Sequence, residues 1–88
     1  MSENSAEISY DQYLDAKGLN CPLPVLKAKL ALTRMSPDEI LYVEATDPHA
    51  TIDFHAYCAR SGHEIIETRN NDNVIGFYIK RSETIANS

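Results

Sequence analysis

The apolar positions of the chain follow two periods, and the change from one to the other marks six elements. Tyr13 to Ala16 predicts a short strand, and Gly18 and Asn20 mark the loop after it. From Pro22 or Pro24 to Met35 the spacing becomes helical, with Val25, Ala28, Leu32 and Met35 on one stripe. Leu23, Leu26 and Leu30 fall on another face, with Lys27 and Arg34 near them, and this second set is either a docking surface or a covered one. Ser36-Pro37-Asp38 ends the helix. Glu39 to Thr46 alternates as a strand, placing Leu41, Val43 and Ala45 opposite Ile40, Tyr42 and Glu44. Asp47-Pro48 turns the chain, with Thr46 or Asp47 as cap, into a helix from His49 to Ser61. Ala50, Phe54, Tyr57 and Ser61 form its inner face with Cys58 beside them, and Gly62 closes it. Glu64 to Thr68 and Val74 to Arg81 predict two strands joined through the polar turn Asn70-Asn71-Asp72-Asn73. In the last strand Val74, Gly76, Tyr78 and Lys80 face one way, and Ile75, Phe77, Ile79 and Arg81 the other.

This order, βαβαββ, predicts an α+β fold: a two-layer α/β sandwich with two helices on one face of a mixed four-stranded sheet. Strands joined through a helix are expected parallel with a right-handed crossover, and the final hairpin antiparallel. The expected single domain spans residues 11–82, with flexible tails at 1–10 and 83–88.

Composition narrows the function classes. At 88 residues there is room for one small domain, expected to be a monomer when free. No apolar run reaches the length of a membrane span, and the polar, acidic start is not a signal peptide, so a cytoplasmic location is expected. Two cysteines outside a C-x-x-C pair then predict free thiols rather than a dithiol couple. A net charge of −5 and the lack of an aromatic-rich basic sheet argue against direct nucleic-acid binding. Charge is uneven, however: Lys17, Lys27, Lys29 and Arg34 lie between residues 16 and 37, where there is no Asp or Glu.

Cys21 sits in that basic stretch, between the loop glycine and the helix, and Pro22 and Pro24 stiffen the backbone after it. A helix N-terminus favours negative charge, and nearby lysines do the same, so the thiol is expected to lie below the ordinary cysteine range. Asp15 either bonds loop N–H groups and steadies the cysteine or is a surface carboxylate at a strand end. Cys58, inside the second helix, reads as a small buried hydrophobe. His49, His55 and His63 match no zinc spacing, so no metal and no other cofactor is expected. A hydrolase would need a base beside the sulfur and an oxyanion hole, for which the chain has no pocket-building length. A lone activated thiolate in so small a domain suggests a carrier, its sulfur exchanging with other sulfurs and a persulfide as the covalent intermediate.

The run Leu14-Asp15-Ala16-Lys17-Gly18-Leu19-Asn20-Cys21-Pro22-Leu23-Pro24-Val25-Leu26-Lys27 resembles the C-P-x-P signature of the TusA family of sulfur carriers, also called SirA-like or YhhP-like. The likeness continues through Thr46-Asp47-Pro48, Tyr57-Cys58 and Gly62-His63-Glu64, and covers residues 13 to 81. The resemblance implies the same two-layer fold and a persulfide on Cys21. It implies a sulfurtransferase acting as a persulfide carrier, with sulfur received from a cysteine desulfurase or rhodanese. That sulfur would pass to a DsrE-type sulfurtransferase, in thiolation of the transfer-RNA wobble uridine, molybdenum-cofactor supply or sulfur oxidation. The candidate site is then Cys21, positioned by Asp15, Gly18, Pro22 and Pro24, with Lys17, Leu23, Leu26, Lys27 and Arg34 facing a partner protein. The competing reading is a regulatory or RNA-binding module of the same fold whose cysteine transfers nothing.

Overall fold

The computed structural model describes residues 8–83. The elements are β1 (Gln12–Ala16), α1 (Leu23–Thr33), β2 (Ile40–Ala45), α2 (Ala50–Ser61), β3 (Glu64–Asn71) and β4 (Val74–Lys80). They form one four-stranded sheet in the order β1-β2-β4-β3. β1 and β2 are parallel, and β4 runs antiparallel to both β2 and β3. The last strand of the described residues, β4, therefore lies inside the sheet, and β3, which precedes it, takes an edge.

The alternation in β2 and β4 places Leu41, Val43, Ala45, Phe77 and Ile79 under the helices, where all are fully buried with Ala16. From above, α1 contributes Ala28 and Leu32, the turn after it Met35, and α2 contributes Ala50, Phe54, Tyr57 and Cys58. The rings of Phe54 and Phe77 meet at 4.6 Å between the layers. Each such side chain removed from water stabilises the fold by about 1.5–3 kcal/mol, which is the main force holding a domain this small together.

α1 begins one residue after the first proline: Pro22 is its N-cap and Pro24, in the first turn, is buried. It ends at Thr33, short of the Met35 expected from the apolar stripe. The Thr33 hydroxyl donates back to the carbonyl of Lys29 at 2.7 Å. The N–H groups of Arg34 and Met35 bond Ala31 and Leu32, tightening the last turn. Arg81 Nε donates to the Leu32 carbonyl at 2.9 Å and so caps α1 from the end of β4. α2 closes at Gly62, whose φ of 91° only glycine adopts without strain.

The hairpin is tighter than the polar run suggests. Asn70 and Asn71 belong to β3, and only Asp72 and Asn73 turn, with Asp72 in the left-handed region at φ 59°. A register shift between Ile65 and Glu67 inserts Ile66 as an extra residue. Ile65 can therefore pack on the core while Ile66 stays exposed.

The open face of the sheet corrects one expectation. It carries Tyr10, Tyr13, Tyr42 and Tyr78, with Tyr42 and Tyr78 stacked at 4.5 Å and Tyr10 and Tyr13 packed against Tyr42. The sheet is thus aromatic-rich, because tyrosines scattered through the sequence come into register on one face. The cations beside them are paired: Lys17 with Asp15 and Glu44, and Arg69 with Glu67 at 2.6 Å. The expected tails lie mostly outside the described residues. Within the described part, Tyr10 packs on the tyrosine cluster, and the N–H of Ser82 donates to His63 Nδ1 at 3.0 Å.

Candidate functional site

Two parallel strands ending at the same level define the site. Ala16 pairs with Ala45 at the last rung of β1 and β2, so the loops that follow leave the sheet side by side. The first turns at Gly18, φ 84°, whose N–H donates to Thr46 Oγ1 of the second loop at 2.9 Å. Three residues later the Cys21 N–H donates to Asp47 Oδ2 at 2.5 Å, and Asp47 Oδ1 accepts from the N–H of His49 at 3.0 Å. One carboxylate therefore ties the cysteine loop to the entry of α2. These two charge-assisted bonds hold the Asp47 carboxyl below the usual carboxylate range, the His49 contribution being the larger. The Cys21–Pro22 peptide is cis, and Cys21 is exposed at the surface just ahead of α1.

The expectation of a lowered thiol pKa is overturned. The Cys21 thiol is raised above the ordinary cysteine value, first by its hydrogen bond to the Asp53 carboxylate, then by burial, then by the charges of Asp53 and Asp47. The helix N-terminus does act in the other direction, but at an exposed site it is worth only about 0.3–1 kcal/mol. Two acids, Asp53 first and Asp47 after it, disfavour the thiolate, and their effect is the larger. The basic stretch read along the chain does not converge on the sulfur either. Lys17 bridges Asp15 and Glu44 at 3.0 and 3.1 Å and donates to the Tyr13 hydroxyl, on the tyrosine side of the sheet. Arg34 is the C-cap of α1, about 16 Å along the helix from its start.

The remaining candidates sort by contact. Asp15 accepts a bond from the Lys17 N–H at 3.0 Å, so it steadies the loop at its root and not at the cysteine. Gly18, Pro22 and Pro24 shape the backbone on either side of Cys21. Leu23, Leu26 and Leu30 are 44%, 48% and 60% exposed, which resolves the second face of α1 as a surface. With Lys27 among them they make an apolar strip leading away from Cys21. Cys58 is 6% exposed, and burial pushes its thiol up to about 11. Sequence reading missed Asp47 and Asp53 as site residues. Asp47 had been assigned a capping role alone, and Asp53 sits in the first turn of α2, 32 positions from Cys21. The usable signal was the turn after β2, since two parallel neighbours must deliver their following loops to one place.

Among the described residues no group of three His, Cys, Asp or Glu side chains is placed to hold a metal ion, and no helix is long and apolar enough to cross a membrane.

Compared with known protein families, residues 12–81 match the model of Sulfurtransferase TusA. The chain belongs to the TusA family. The sulfur carrier protein TusA of Allochromatium vinosum is 47% identical over 73 residues, spanning 83% of this chain and 96% of the relative. A putative sulfur carrier protein of Neisseria meningitidis is 42% identical over 67 residues, spanning 76% of this chain and 90% of the relative. Among solved structures, a SirA-like protein from Desulfitobacterium hafniense superimposes with a TM-score of 0.73 over 83% of this chain and all of its own. At 24% identity that likeness concerns the fold, and it agrees with the two-helix, four-stranded architecture above. The run Cys21-Pro22-Leu23-Pro24 lies within the matched residues.

Proposed function

We propose that the protein accepts sulfane sulfur as a persulfide on Cys21 and relays it to an acceptor protein. The donor is a cysteine desulfurase or rhodanese, and the acceptor a DsrE-type sulfurtransferase. The observation that carries this reading is the exposed, free Cys21 thiol, held by its own N–H on Asp47 at the mouth of two parallel strands in a TusA-family chain. A carrier needs a sulfur that can reach into another protein's active site, and a terminal position on a stiff loop supplies it. The second thiol is only 6% exposed and packs with the core cluster, recessed from the surface that a partner protein would meet.

The strip Leu23, Leu26 and Leu30 fits the other requirement, a surface recognised by both donor and acceptor. Its leucines act as anchors, and the exposed Lys27 and Arg34 as rim charges that set association rate more than lifetime. Intact-mass measurement after incubation with a cysteine desulfurase and free cysteine tests the reading. Wild type and Cys58→Ser are expected to gain one sulfur atom that a thiol reductant removes, and Cys21→Ser none. Equal loading of the two serine variants would defeat it.

A further inference from the structure

Two consecutive side chains of the loop after β2 grip the loop after β1. Thr46 Oγ1 accepts the Gly18 N–H at 2.9 Å, and Asp47 Oδ2 accepts the Cys21 N–H at 2.5 Å. Residues 20–23 are all exposed, so packing does not set their position. Within this stretch the Leu23 N–H bonds the Asn20 carbonyl at 2.8 Å, which closes a turn without anchoring it to the sheet. Asp47 is itself well anchored. Its side chain is 11% exposed, its other oxygen accepts the His49 N–H at 3.0 Å, and its carbonyl accepts the Ala50 N–H at 2.9 Å where α2 begins. The sulfur-bearing residue is thus fastened to the start of α2, and α2 is fastened to the core through Ala50 and Phe54.

We infer that Asp47 is the positioning residue of Cys21: its carboxylate holds the cysteine backbone where Sγ can line up with the S–S bond of a donor protein's persulfide. The inference rests on the carrier role proposed above. In that exchange the Cys21 thiolate forms a bond to the terminal sulfur of the persulfide. The donor's S–S bond breaks with its electron pair on the donor cysteine. A Cys21 persulfide and a donor thiolate result, and sulfane sulfur moves at constant oxidation level, so no outside oxidant or reductant enters. Attack and departure take place on opposite sides of one sulfur atom, so three sulfurs must lie near a line. An exposed loop that swings loses this alignment, and a misplacement of about 1 Å can cost about 100-fold in rate. Asp47 acts on the reaction only through the Cys21 backbone.

The geometry calls for a carboxylate. Two backbone N–H groups point at the side chain, and each of its oxygens accepts one. An asparagine has a single acceptor oxygen and an NH2 group that only donates. It forms the local turn to the N–H two residues on, as aspartate does, so in Asp47→Asn the oxygen stays with His49. The NH2 group then meets the Cys21 N–H, donor against donor. Asp47→Asn therefore cuts the tie to the cysteine and keeps the start of α2.

The test follows single-turnover loading of Cys21 by intact mass, with a cysteine desulfurase charged with cysteine at a series of desulfurase concentrations. Asp47→Asn is expected to lower the maximal loading rate by about tenfold or more. The half-saturating desulfurase concentration is expected to stay within about twofold of wild type, since the lost interaction serves the reaction and not the binding. Alkylation of Cys21 by iodoacetamide needs no alignment with a second protein, and is expected to be no slower than in wild type by peptide mass. An unchanged maximal rate overturns the role, and with a raised half-saturating concentration it makes Asp47 a docking contact instead. Alkylation slowed as much as loading also overturns it, because the carboxylate would then support the loop in general. A wild type that alkylates normally yet gains no sulfur overturns the carrier reading, and the positioning role with it. Thermal melts separate a folding failure from a chemical one. If Asp47→Asn unfolds, Asp47→Ser repeats the comparison, its hydroxyl making the same local turn while leaving the Cys21 N–H without its acceptor. Should both unfold, amide exchange in wild type decides: the Cys21 N–H is expected to exchange about tenfold or more slower than an unprotected amide, and exchange at the unprotected rate overturns the tie.

Discussion

One cysteine lies just ahead of α1 and the other inside α2, and the two thiols are raised for different reasons. Cys58 of α2 is raised by loss of water alone. Cys21, just ahead of α1, is raised chiefly by a carboxylate at an exposed position. The first cause is built into the core and persists as long as the fold does. The second belongs to one surface contact, which a binding partner can rearrange. A buried sulfur and an exposed one thus share a direction of pKa shift and differ in its cause and in their access to other molecules. The direction of the shift by itself does not distinguish the two cysteines, whereas its cause does.

The difference is broken most directly by alkylation of the native protein. Iodoacetamide should modify Cys21 completely and leave Cys58 untouched until denaturant is added, as read by peptide mass. Comparable native labelling of both would mean that α2 opens readily and that Cys58 is not core. Serine replacement gives a smaller effect. Cys58→Ser places a hydroxyl in the core and is expected to cost about 1–3 kcal/mol, whereas Cys21→Ser should stay within about 0.5 kcal/mol of wild type, both read from thermal or denaturant unfolding. The smallest stability effect is expected on the outer face of α1. Leu26→Asp should leave the melting temperature nearly unchanged, because the side chain is already half exposed, yet weaken binding to donor and acceptor at low and high salt alike. A collapsed melt would show that Leu26 is covered in solution.

Much of the fold was legible in the sequence for a simple reason. The strands and α2 each bury one face, so a period of two or of about 3.6 appears directly in the apolar positions, as in Leu41, Val43 and Ala45 or in Ala50, Phe54, Tyr57 and Ser61. α1 was harder, since leucines occupy its exposed side as well, and periodicity cannot distinguish a docking face from a second buried one. Helix ends were legible where the chain itself makes the cap, as at Gly62. They were not where the cap comes from afar, as with Arg81 on the Leu32 carbonyl. In the site, Cys21 stood out because a cysteine before a proline-started helix has little packing motive. Its electrostatics were misread because a local charge count includes Lys17, which spends its charge on Asp15 and Glu44, and omits Asp47 and Asp53.

What the sequence determined by itself is the set of elements, the two-layer class, the parallel pairing required by the first crossover and the identity of the exposed thiol. These follow from local geometry: a side-chain period, a turn residue, a proline ring. Tertiary structure alone decided that β4 lies between β2 and β3, and that four tyrosines gather on the open face of the sheet. It also decided that Asp47, after β2 in the chain, takes the Cys21 N–H, and that Asp47 and Asp53 rather than the local lysines set the direction of the thiol's shift. Each of these depends on residues dozens of positions apart meeting in space, and a carboxylate's effect on a thiol falls with distance through space and not with separation along the chain.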